Sequence, residues 1–65
     1  MEFGLRFRTK RLSLIMFSTR PMSQEAAARL FNVSLSTIRG WERGRSLPDE
    51  RSRTAINNEW PDLFQ

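Results

Sequence analysis

At the start of the chain Phe3, Leu5 and Phe7 alternate with Gly4, Arg6 and Arg8, the two-residue period of a half-buried strand. The pattern predicts a short N-terminal β-strand or a basic arm over residues 1–10. A lone strand leaves its backbone unpaired, so a strand here is expected to meet a second copy of itself. Leu12, Leu14, Ile15, Met16 and Phe17 follow as a dense apolar run, which predicts a first helix over 11–20, stopped by Pro21. A run this short is also compatible with a continued strand.

Ser23 is a good N-cap, and the Ala-rich stretch 24–31 carries Glu25 in its first turn, where a carboxylate complements the helix dipole. This predicts a second helix. Asn32 stands where the chain must leave that helix, and Asn tolerates the left-handed conformation better than any other residue except Gly. Ser34 is a second N-cap, and a third helix is expected over 35–43, closed by Gly44. Pro48 and Asp49 open a fourth, over 49–58, with Ala55 and Ile56 as its strong apolar residues. Trp60, Leu63 and Phe64 form one more apolar turn, which either folds back onto the core or serves a partner. The expected fold is all-α: a bundle of four to five short helices over 11–65, with an optional strand before it.

A chain of 65 residues is close to the lower limit for a single apolar core without disulfides, metals or a partner. It has no Cys and no His, which removes disulfide frameworks, thiol nucleophiles and the usual zinc sites. The net charge of +4 favours a polyanion through counterion release. That charge is polarised: residues 1–20 carry Arg6, Arg8, Lys10, Arg11 and Arg20 against Glu2, whereas residues 54–65 carry Glu59 and Asp62 alone. The run from Leu12 to Phe17 is too short to span a bilayer and no cleavage site follows it, so a cytoplasmic protein is expected, with no membrane partner. No repeat or low-complexity tract divides the chain.

The second and third helices carry further constraints. Two helices joined at a steep angle by a short turn cross closely, and small side chains are needed at the crossing. Counting from Gln24, Ala27 and Ala28 take the fourth and fifth places, Asn32 the ninth, and Phe31, Val33, Ile38 and Trp41 the inward-pointing eighth, tenth, fifteenth and eighteenth. The remaining face of the third helix, Leu35, Ser36, Arg39, Gly40 and Arg43, lies away from Ile38 and Trp41. A major groove would meet that face.

The run Ser23-Gln24, Ala26 to Ala28, Asn32, Ser34 to Arg39, Trp41-Glu42-Arg43-Gly44-Arg45 and Pro48 resembles the lambda-repressor-like, or Xre-type, helix-turn-helix regulators over about 26 of the 65 residues. The resemblance implies a compact helical domain whose third helix enters the major groove, usually as a dimer on a palindromic operator. In the family the places of Arg43 and Arg45 lie against the sugar-phosphate backbone. Two departures stand out. Members usually carry an Arg seven residues before the Gln, paired with the Glu of the Trp-Glu pair; here that place holds Phe17, so no partner for Glu42 is implied. The long helical C-terminal half of the family is also cut short, so its usual dimer interface does not carry over.

Base reading is expected from Leu35, Ser36, Arg39 and Gly40: Arg39 has the reach and fork for guanine, Ser36 suits a base edge, and Leu35 a thymine methyl. Gly40 in a helix interior costs roughly 1 kcal/mol relative to Ala, which either close approach to the groove or a packing contact would explain. Backbone contacts are expected from Gln24, Ser34, Thr37, Arg43 and Arg45. Phe3, Leu5 and Phe7 on the strand are the first candidate surface for a homodimer, and Trp60, Leu63 and Phe64 the second.

Glu42 reads as a structural ion-pair partner, and Asp49 and Glu50 as capping residues. No nucleophile and base pair is visible, so no enzyme, cofactor or metal is expected. The expected protein is a short phage or mobile-element repressor of its own operon. The rival is an antitoxin or protein-interaction module that grips a partner such as a toxin with its apolar termini. Salt separates the two, because operator binding weakens steeply with it and an apolar interface does not.

Overall fold

The computed structural model describes residues 2–14 and 21–64. Four α-helices follow one another, α1 (Glu2–Ser13), α2 (Gln24–Phe31), α3 (Leu35–Glu42) and α4 (Glu50–Glu59), and a 3-10 turn at Pro61–Phe64 closes the chain. The fold is all-α, with no strand among the described residues.

The N-terminal strand, or arm, expected over 1–10 is therefore corrected: from Glu2 onward this stretch is helical. Phe3 and Phe7 are four residues apart and so share one helix face as well as one strand face. In a helix the backbone groups pair within the segment, whereas a lone strand would leave them open. Leu5, which alternation would have buried alongside them, is instead 66% exposed. The helix expected over 11–20 is corrected in the same way. Its first three residues are the end of α1, Leu12 is exposed, and Leu14 has left the helix. The Leu14 carbonyl accepts a hydrogen bond from the Met22 N–H at 3.0 Å, which brings the chain back to begin α2. Residues 15–20 of that expectation lie outside the described residues.

From Ser23 onward the elements fall close to where their capping residues put them. The side-chain oxygens of Ser23, Ser34 and Asp49 accept hydrogen bonds from the N–H groups of Ala26, Thr37 and Ser52 at 3.0, 3.1 and 2.8 Å. These satisfy first-turn donors that a helix cannot pair internally. Asn32 ends α2 in the left-handed region, at φ 57°. Its N–H and that of Val33 reach back to the carbonyls of Arg29 and Ala28, a Schellman closure that turns the chain into α3.

The core is aromatic. Phe7, fully buried, lies with its ring centroid 5.7 Å from that of Phe31, 5.5 Å from Trp41 and 5.1 Å from Trp60, so one α1 side chain touches α2, α3 and the end of α4. Ala27 and Ala28 are buried where α2 meets α3, and Ile38 and Ile56 fill the space between the helices. The C-terminal turn folds back, with Leu63 buried and Phe64 stacked on Phe3 at 5.6 Å. It is fastened to α1 by the Arg6 guanidinium donating to the Leu63 carbonyl at 3.2 Å and by a Lys10–Asp62 pair at 3.3 Å.

Candidate nucleic-acid interface

Ile38 and Trp41 turn α3 into the core, which leaves Ser36, Arg39 and Arg43 exposed and Leu35 and Gly40 half-buried. Ser36, Arg39 and Arg43 thus share its outer side, with Leu35, Thr37 and Gly40 half-buried at its flanks. At its start the Ser34 hydroxyl caps the Thr37 N–H and also hydrogen-bonds the Thr37 hydroxyl at 2.9 Å, so these two side chains are held together. Gly40 lies near the loop that follows: a Cβ there would stand 3.1 Å from the Ser46 hydroxyl oxygen, a contact that a shift of a few tenths of an ångström in this exposed side chain would relieve.

α3 ends in a second Schellman closure. Gly44, at φ 75°, donates to the Trp41 carbonyl at 3.1 Å, and Arg45 donates to the Gly40 carbonyl at 2.9 Å. Arg43 and Arg45 flank this glycine and both are exposed.

Glu42 has its partner in Arg11. The Arg11 Nε donates to Glu42 Oε2 at 2.7 Å and Nη2 to Oε1 at 2.9 Å, while Nη1 donates to the Met22 carbonyl at 2.8 Å. Gln24 Nε2 donates to the same Oε1 at 3.1 Å. The two charged side chains are 8% and 5% exposed, and among the described residues no buried side-chain nitrogen or oxygen lacks a hydrogen-bond partner. Gln24, expected on the DNA backbone, is thereby half-buried and tied to α3 by its amide nitrogen. Arg11 stands thirteen residues before Gln24 rather than at the family's usual seven, so motif spacing did not reveal it.

Arg8 was missed in the same way. With Arg39, Arg43 and Gln24 it lines a cleft beside the Arg11–Glu42 pair. The signal was the helical spacing of Gly4, Arg8 and Arg11, visible only once α1 is known to be a helix.

The six residues expected to serve self-association are placed differently. Phe3, Phe7, Trp60 and Leu63 are buried in the chain's own core, Phe64 is half-buried against Phe3, and Leu5 alone of the six is exposed. The hydrophobic groups that were to cover a partner cover one another. No helix among the described residues is long and apolar enough to cross a membrane.

Comparison with known proteins finds a family model described as helix-turn-helix matching residues 22–52. The match takes in α2, the Asn32 turn, α3 and the start of α4. No curated protein and no solved structure matches the chain.

Proposed function

The chain belongs, through residues 22–52, to the lambda-repressor-like (Xre-type) helix-turn-helix family of DNA-binding regulators, and we propose that it is a repressor that occupies a palindromic operator as a dimer, with α3 in the major groove. The observation that carries this reading is the division of α3: Ile38 and Trp41 are buried, while Ser36, Arg39 and Arg43 project together from the opposite side. Leu35, Ser36, Arg39 and Gly40 sit where base edges would be read, and Gln24, Ser34, Thr37, Arg43 and Arg45 where phosphates would be met. One such helix reads few base pairs, so useful specificity requires two copies in successive major grooves, about 10 base pairs apart.

The aromatic core takes up Phe3, Phe7, Trp60 and Leu63, so neither the rival reading, capture of a protein partner by apolar termini, nor the dimer can draw on those four side chains. Footprinting on the DNA upstream of the protein's own coding sequence, together with a reporter driven from that DNA, tests the proposal. Two protected half-sites and a fall in reporter output are expected. Absence of protection there and in a pool of random duplexes would overturn it.

A further inference from the structure

Gly4, Arg8 and Arg11 are spaced by four and three residues, which sets them on one face of α1. Two of the three are fixed against the end of α3. A Cβ on Gly4 would collide with the Trp41 carbonyl oxygen and stand 3.0 Å from that of Glu42, so the absence of a side chain is what lets the two helices touch. Arg11 is held by Glu42 itself. Arg8, between them, is thereby carried over the C-terminal end of α3, where it shares a cleft with Arg39 and Arg43.

The charges in this cleft do not balance. Arg11 and Glu42 neutralise each other at its side, whereas the guanidinium groups of Arg8, Arg39 and Arg43 make no hydrogen bond or ion pair among the described residues. Three like charges drawn from two helices around one opening repel unless an anion joins them. Guanidinium groups hold a phosphate oxygen pair through parallel N–H donors, and the neighbouring face of α3 is the one assigned above to DNA.

We propose that α1, which lies outside the matched segment, is part of the nucleic-acid interface, and that Arg8 with Arg43 clamps one phosphodiester of the duplex beside the groove that α3 enters. The proposal rests on the DNA-binding reading and extends it to a helix that the family match does not include. It also gives the Arg11–Glu42 pair a function beyond stability: the pair sets the register of α1, and so the position of Arg8.

The test is a salt titration of the full-length protein on a short duplex of random sequence, comparing wild type with R8Q, R8K and R43Q. R8Q should melt like wild type, because the side chain is exposed, and should flatten the slope of log K against log salt by about 0.9, the loss of one phosphate contact. R8K, which keeps the charge, should keep most of the slope. If R8Q and wild type show the same slope while R43Q is shallower, α1 is not in the interface and the DNA-binding reading stands. If the wild-type protein binds the duplex with no salt dependence, both fall. R8Q and R8K losing slope equally would overturn the clamp as a charge contact.

Discussion

Arg11 and Glu42 stand 31 residues apart and meet through two hydrogen bonds, at 2.7 and 2.9 Å, with their side chains 8% and 5% exposed. The pair joins α1 to the end of α3, and Gln24 joins α2 to the same carboxylate. Desolvation offsets much of the attraction in a pair this buried, so its removal as a unit costs little, whereas removal of one member leaves the other charged and alone.

E42A is therefore expected to destabilise the domain by about 3 to 5 kcal/mol, enough to unfold most of a chain this small. The double variant R11M/E42L should recover much of that loss. Urea denaturation of the three proteins checks it: a double variant no more stable than E42A would show that the pair is more than a matched burial.

Phe7→Ala should cost about 3 to 5 kcal/mol, the usual result for an aromatic side chain removed from a core. Leu5→Ala, on the exposed side of the same helix, should cost little. A strand at this place would set Leu5 beside Phe7 on one face, so both variants would lose the dimer alike and neither would unfold first; melting temperatures combined with sedimentation of both variants distinguish the two. F7A that stays folded and becomes monomeric would contradict the core assignment.

Asn32 holds φ at 57°, in a region where a β-branched residue is strained. Asn32→Val should therefore lose about 1 to 2 kcal/mol, and Asn32→Gly should be close to neutral. Equal melting temperatures for wild type and N32V would mean that the turn is not the one described.

The elements bounded by local signals were legible in the sequence. Ser23, Ser34 and Asp49 each announce a helix through their own side chains, and Asn32 and Gly44 announce the two left-handed closures, so α2, α3 and α4 lie within a residue or so of expectation. α1 was not legible, because Phe3 and Phe7 satisfy both a two-residue and a four-residue period. What decides between them is distant: Phe31, Trp41 and Trp60 supply the surface that a helix buries. The same holds for the site. The α3 face follows from spacing inside one helix, whereas Arg11 and Arg8 reach it only through tertiary packing, which no local pattern encodes.

Asp49 supplies a pH-dependent contribution. The Ser52 backbone N–H, hydrogen-bonded to its carboxylate, holds its pKa below the ordinary value; the Ser52 side chain adds to this, desolvation opposes it, and Arg51 lowers it further by the least amount. A group with a lowered folded pKa stabilises the fold at pH above its unfolded value and loses that contribution as pH falls through the folded one. Asn also caps a helix but does not titrate, so the melting-temperature difference between wild type and D49N should shift against wild type on acidification below about pH 4. A difference that stays constant from neutral to acid pH would contradict the cap.

On the proposed function, the outer face of α3 reads duplex DNA. The measurement that tests it most directly is the base preference of wild type, R39A and R43A across every single substitution of a duplex selected by the wild-type protein. R39A is expected to lose about 1 to 3 kcal/mol and its preference at one base pair per half-site, and R43A to weaken binding by the same factor on every sequence. Wild-type preference retained in R39A at every position would contradict the account.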